Sequence, residues 1–217
     1  MKKTIRSFFK DIVNRDFLIS ITCLMVMQAI IFTFIKYLQV DYHTYLSPID
    51  NMIPFVPHFI YIYNLFYPFI FIVLYYVFIN DKENYYHGVI AGTIGYLLAD
   101  IIFLLYPTIM IRPDVMYDKL DLITGFFVRI TYAVDNPALN CFPSIHCLFC
   151  FQAMYTTILC KNISKGKKAI IVFVLFLIAI STVLVKQHYF YDILGAFFIF
   201  CLSNAITYLL FKIAKRK

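Results

Sequence analysis

"STVLVKQHYFYDILGA", Ser181 to Ala196, lies between two long apolar runs near the end of a 217-residue chain. Within it stand Lys186, His188 and Asp192. What these ionisable groups do at the edge of a membrane-length segment decides the reading of both fold and site. If a helix starts near Tyr189, His188 and Asp192 are four apart, and side chains at i and i+4 share a helix face. A carboxylate one turn away can accept a hydrogen bond from one imidazole nitrogen, which fixes the tautomer and leaves the other nitrogen as base or nucleophile. Taken alone, the pair also reads as an interfacial histidine and aspartate capping a helix end.

The rest of the chain supplies the frame. It is 62% hydrophobic and only 14% charged, with a mean hydropathy of +0.80. Soluble domains are nearer about half apolar and about a quarter charged. Apolar runs of membrane length recur, so the sequence predicts an all-α polytopic membrane protein. Six spans are expected, at about 17–38, 55–80, 88–111, 144–160, 168–185 and 190–212. They form a single membrane domain over 1–217, preceded by a basic tail over 1–16. The run Phe17 to Tyr37 is too long for a signal-peptide core and lacks a small-x-small cleavage site, so it reads as a retained helix. Six cysteines fall mostly inside apolar segments, where free Cys behaves as a small hydrophobe rather than as part of a disulfide framework.

The net charge of +7 is a topology signal. Lys2, Lys3, Arg6, Lys10 and Arg15 precede the first span, Lys82 follows the second, and Lys161, Lys165, Lys167 and Lys168 follow the fourth. Lys212, Lys215, Arg216 and Lys217 close the chain. In an even-numbered bundle all of these share one side, which the positive-inside rule makes cytoplasmic, together with both termini. This placement excludes nucleic acid as the reason for the charge. The expected location is the plasma membrane. The third connection, on the outer side, includes "LDLITGFFVRITYAV", Leu120 to Val134, which predicts a short helix lying at the interface or folded over the bundle.

Two further stretches reach the same outer side. "CFPSIHC", Cys141 to Cys147, opens the fourth span, with Ser144 as helix N-cap and His146 in the first turn. The free N–H groups of such a helix start favour an anion. "YPTIMIRPDV", Tyr106 to Val115, ends the third span at Pro113, and Arg112 offers a planar donor fork suited to phosphate. Thr182 and Lys186 add a hydroxyl and a cation near the same lip. Each has a plainer reading: His146 as a satisfied interfacial histidine, Arg112 as a headgroup anchor.

Together the three stretches resemble the signature of the type 2 phosphatidic acid phosphatase (PAP2) superfamily. The matching positions are Arg112-Pro113, then Pro143-Ser144-Ile145-His146, then Ser181 with His188 and Asp192. Three positions depart from the pattern: Leu105 replaces a lysine, Ile145 a glycine and Thr182 an arginine. The form "STxxxKQHxxxD" is similar to a divergent branch close to inositol phosphotransferase-like members, and Lys186 is a candidate to replace a lost cation. The resemblance implies a six-helix membrane bundle with its catalytic core over about 88–212. It implies that His188 attacks phosphorus, that Asp192 orients it, and that His146 protonates the leaving group. It also implies that Arg112, Ser144, Ser181, Thr182 and Lys186 hold the phosphoryl oxygens. The partners are a lipid phosphate and the bilayer itself, with no cofactor and no metal, since no carboxylate cluster suits Mg²⁺.

Other readings stay open. Few cations suit a singly charged phosphodiester, which favours a transferase moving a lipid headgroup. Cys147-x-x-Cys150 is the spacing of a thiol oxidoreductase, but it lies on an apolar helix with no second pair. His146, Cys147 and Cys150 lack a fourth ligand for zinc. Asp100, in mid-span, fits either an ion path in a non-catalytic transporter or scaffold, or a paired structural group.

Overall fold

The computed structural model describes residues 14–39 and 41–215. The basic tail over 1–16 therefore lies outside the described residues as far as 13, as do Arg216 and Lys217 at the other end. The chain is built of helices α1 (Arg15–Leu38), α2 (Pro48–Met52), α3 (Ile60–Asn64), α4 (Phe66–Asn80), α5 (Lys82–Leu105), α6 (Leu122–Val134), α7 (Ile145–Leu159), α8 (Lys165–Leu184) and α9 (Phe190–Ala214). Short 3₁₀ turns stand at Pro57–Phe59 and Tyr117–Lys119. Among the described residues there is no strand, only isolated bridges at His43–Thr108 and Ile109–Leu139.

The helix starts follow from side chains that satisfy free backbone donors. Asp81 accepts from Asn84 N at 3.1 Å, Asp121 from Thr124 N at 3.0 Å, and Ser144 from Cys147 N at 3.2 Å. The N-cap expected at Ser144 and the short helix expected within Leu120 to Val134 are both found.

Among the described residues, five helical stretches are long and apolar enough to cross a membrane: Arg15–Leu38, Pro57–Asn80, Lys82–Leu105, Lys165–Leu184 and Phe190–Ala214. The fourth expected span, α7, has only 15 residues. At about 1.5 Å per residue that is roughly 22 Å, short of about 30 Å of hydrocarbon. It can be short because it is central, packed against α4, α5, α8 and α9. Ile30, Ile170 and Phe198 on α1, α8 and α9 are 64%, 66% and 67% exposed, the surface that lipid covers.

The third span differs from expectation. It runs over Lys82–Leu105 rather than 88–111, because Asp81 caps it early and the break comes before Pro107 rather than at Pro113. The polar start is tolerated because Tyr85 is fully buried, with its hydroxyl 2.8 Å from Ser20 of α1. Arg112 is thus not at a helix end. It follows an extended strap in which Met110 N donates to the Ala138 carbonyl at 3.0 Å and Asn140 N to the Thr108 carbonyl at 2.7 Å. Farther inside the bundle, Asp100 of α5 accepts from Gln28 Nε2 of α1 at 3.0 Å, so this mid-span carboxyl joins two helices.

The two ends of the bundle differ. At one end Asn162 Nδ2 donates to the Asn80 carbonyl at 2.6 Å and Asn84 Nδ2 to the Thr156 carbonyl at 2.6 Å, closing the lysine-rich α7–α8 connection onto the α4–α5 turn. The α5 exit, the α7 start and the α8–α9 turn meet at the other end.

Candidate active site

Three local features bring the site together. The α8–α9 turn tightens because the Thr182 carbonyl accepts from Gln187 N at 2.9 Å and from His188 N at 3.1 Å. Lys186 supplies the required left-handed residue, with φ 51°. The start of α7 is tied to α9 by Ser144 N, which donates to the Asp192 main-chain carbonyl at 3.1 Å. Gly195 permits this approach: a Cβ there would lie 2.7 Å from Phe142 Cε2 and 3.2 Å from Pro143 Cβ. Thr108, fully buried, accepts from Cys141 N at 3.0 Å and Phe142 N at 3.1 Å, and so anchors the loop before α7.

His188 is 8% exposed and Asp192 is fully buried. His188 Nδ1 lies 3.0 Å from Asp192 Oδ2 and 3.1 Å from the Cys141 carbonyl. A carbonyl cannot donate, so Nδ1 carries the proton and the neutral ring presents its lone pair at Nε2. That nitrogen faces His146 Nδ1 at 3.4 Å, and His146 Nε2 lies 3.3 Å from the Tyr63 hydroxyl. Asp192 also accepts from Tyr45 Oη at 2.5 Å and from Tyr189 N at 2.9 Å. Acceptors alone meet all these donors when the carboxyl is ionised.

Arg112 comes to the same turn. Its Nη1 donates to the carbonyls of Tyr132 at 3.2 Å and Asp135 at 2.7 Å. Its Nη2 meets Asp135 Oδ2 at 2.7 Å and Gln187 Oε1 at 2.6 Å. The guanidinium lies 4.6 Å from the Tyr132 ring centre. Burial raises the Asp135 carboxyl above the usual carboxylate range, and the Arg112 charge pulls it partly back.

The other predicted anion-binding side chains stand differently. Ser144 is engaged as the α7 cap. Ser181 and Thr182 are fully buried and donate to the carbonyls of Ile178 and Ala179, both at 2.6 Å. Lys186 Nζ donates to the carbonyls of Asp50 at 3.0 Å and Ile53 at 2.6 Å, on the loop around α2. Burial lowers the Lys186 ammonium below the usual lysine range, partly offset by Asp50. The structure thus brings together His188, Asp192, His146, Arg112 and the α7 start. Sequence reasoning did not single out Tyr45, Tyr63, Thr108, Asp135, Asn140 or Gln187. Of these, Gln187, beside His188, and Thr108, within Tyr106 to Val115, stood in stretches already under scrutiny. Cys147 and Cys150 are buried thiols without a disulfide. Among the described residues no group of three or more His, Cys, Asp or Glu side chains converges as a metal set.

Fold and composition make the chain an all-α polytopic membrane protein whose polar side chains converge at one end of the bundle. Residues 110–216 match the model of the PAP2 superfamily, a stretch that holds His146, His188, Asp192 and Arg112. That match supports phosphatase or phosphotransferase activity in general. No curated protein and no solved structure matches the chain significantly.

Proposed function

We propose that the protein is an integral membrane lipid phosphatase that hydrolyses a lipid phosphate or pyrophosphate through a phosphohistidine on His188. The observation that carries this reading is the His188 ring, with its Nδ1 proton held by Asp192 at 3.0 Å and its Nε2 lone pair turned to His146. In the first step Nε2 bonds to phosphorus and the bond from phosphorus to the leaving oxygen breaks. His146, once both of its ring nitrogens carry protons, passes its Nδ1 proton to that oxygen. Asp192 stabilises the positive charge that develops on His188, the role of a triad carboxylate. In the second step water gives a proton to His146 and attacks phosphorus, the P–N bond breaks, and phosphate leaves. Positioning and charge stabilisation dominate phosphoryl transfer, and a pre-aimed donor is worth about 3 kcal/mol. Arg112 and the N–H groups opening α7 fill that role in this reading. Ser144, Ser181, Thr182 and Lys186, whose polar groups are engaged elsewhere, shape the site through the backbone.

By the positive-inside rule, the end bearing Lys82, Lys161, Lys165, Lys167 and Lys168 is cytoplasmic. Both termini then lie in the cytoplasm and the site opens at the outer face of the plasma membrane, where a lipid phosphate enters with its tails in the bilayer. A second reading, a headgroup phosphotransferase, is favoured by the Asp135–Arg112 pair at 2.7 Å. With its one guanidinium partly neutralised, the site suits the single charge of a phosphodiester, and an acceptor hydroxyl takes the place of water.

The test is phosphate release by purified protein from a panel of lipid phosphates, alongside His188→Ala. Free phosphate that disappears in the variant supports the phosphatase. Headgroup exchange without free phosphate supports the transferase. No turnover on any lipid sinks both and favours a non-catalytic transporter or scaffold.

A further inference from the structure

Gln187 is 2% exposed and directly precedes His188. Arg112 presents only donors, so the Gln187 atom 2.6 Å from its Nη2 must be the amide oxygen. That contact fixes the orientation of the carboxamide and turns its NH₂ group away from Arg112. Nε2 is buried and has no partner among the described residues, and the same is true of Arg112 Nε. A third unpaired group is next in sequence to a residue that contacts His188. Asn140 is 4% exposed and left-handed at φ 55°, and among the described residues neither Nδ2 nor Oδ1 has a partner. It is followed by Cys141, whose carbonyl touches the His188 ring at 3.1 Å. Buried polar groups are almost always hydrogen-bonded, so unpaired donors on three residues whose neighbours contact one another demand a reason. Both amides are held by backbone that is itself pinned, Gln187 N to the Thr182 carbonyl and Asn140 N to the Thr108 carbonyl.

We propose that Gln187 and Asn140 bind the phosphoryl group at His188, each donating an amide N–H to a non-bridging oxygen, with Arg112 Nε as the third donor. Neutral amides then do at this site what side-chain cations at positions 105 and 182 would otherwise do. Fixed donors of this kind need no reorganisation as charge builds on the oxygens. The proposal rests on the phosphoryl reading of the site, and its test is a binding measurement that needs no turnover.

Inorganic phosphate is titrated calorimetrically into the purified full-length protein and its variants, with thermal unfolding as a check on folding. Loss of one hydrogen bond to a charged group predicts about tenfold weaker phosphate binding in Asn140→Ala and in Gln187→Ala. Gln187→Glu keeps the shape and retains an acceptor for Arg112, so it folds even where the alanine variant does not. It removes the donor and adds a negative charge, and phosphate binding weakens by more than about a hundredfold. Gln152→Ala, a buried glutamine bonded to Asn204 in the bundle interior, leaves binding unchanged. Phosphate binding within about twofold of the parent in both Gln187→Glu and Asn140→Ala overturns the proposal. If His188→Ala binds phosphate and Gln187→Glu does not, the proposal stands even where no lipid is turned over.

Discussion

His188 and Asp192 face each other across one turn of helix start, Nδ1 to Oδ2 at 3.0 Å, and the Cys141 carbonyl at 3.1 Å settles which nitrogen holds the proton. This relationship separates two roles of the carboxylate. In Asp192→Asn the amide oxygen can still accept from His188 Nδ1, while the NH₂ turns to Tyr45, whose hydroxyl can accept as well as donate. The tautomer is kept and only the negative charge is lost. General acid–base and charge effects of this kind run to about 10²–10⁴-fold. We expect kcat on a turned-over lipid phosphate to fall about 10³-fold with KM within about threefold. Tyr45→Phe removes one donor to the same carboxylate, and its effect vanishes in the Asp192→Asn background. A KM rise with kcat intact in Asp192→Asn would show that the carboxylate binds substrate instead.

If Arg112 holds the phosphoryl group as proposed, Asp135, paired with it at 2.7 Å, competes with substrate for the guanidinium. A half-exposed ion pair is worth about 1 kcal/mol, so Asp135→Asn should bind inorganic phosphate about fivefold more tightly than the parent. The pH dependence has a definite sign. Burial raises the Asp135 carboxyl, so it takes up a proton at a higher pH than an ordinary aspartate. As pH falls through that raised value, the parent loses the competing charge and approaches the variant. The ratio of the two affinities, in which the titration of phosphate itself cancels, is therefore largest near neutrality and closes toward acid. A ratio that is flat with pH, or that widens toward acid, would rule out competition by the charged carboxylate.

How far the sequence carried this site depends on the range of each contact. The His188–Asp192 pair was legible because it is four residues long and helix geometry brings it together. Ser144 was legible as a cap for the same reason. Arg112 was legible as a donor, but its setting was not. The start of α5 at Lys82 depends on Tyr85 being buried against α1, a tertiary contact that overrides a polar stretch. Tyr45 and Gln187 escaped because their partners, Asp192 and Arg112, lie far off in sequence. Lys186 was read as facing the same lip as His188, yet its left-handed backbone accompanies a side chain directed to the α2 loop.

The approach of α9 to the loop before α7 has one weak point. Gly195→Ala places a methyl 2.7 Å from the Phe142 ring and 3.2 Å from Pro143, and Phe142 is a ring edge with buried neighbours rather than a flexible chain end. Overpacking of this sort costs about 1–3 kcal/mol. The strain falls on the segment that carries Ser144 and His146. We therefore expect a lower midpoint of thermal unfolding together with a loss of turnover larger than the loss of stability alone explains. Gly166→Ala, where nothing lies within 4 Å of the new methyl, is the matched control and should not lower the midpoint.

Lys186 offers the sharpest separation of scaffold from ligand. Its ammonium donates to the carbonyls of Asp50 and Ile53, and Asp50 in turn accepts from Phe190 N at 2.7 Å through Oδ1. The two residues therefore bracket the turn that aims His188. Lys186→Ala leaves two carbonyls without their donor, at a cost of about 1–3 kcal/mol. Lys186→Gly loses the same contacts but relieves a left-handed backbone that costs a side-chain-bearing residue about 1 kcal/mol. The glycine variant should thus be the more stable of the two by about that amount. Because the contacts lie on the loop side of the turn, phosphate affinity in both variants should stay within about twofold of the parent. An alanine variant that keeps its unfolding midpoint but loses phosphate affinity would return Lys186 to the anion site and overturn its assignment to the loop.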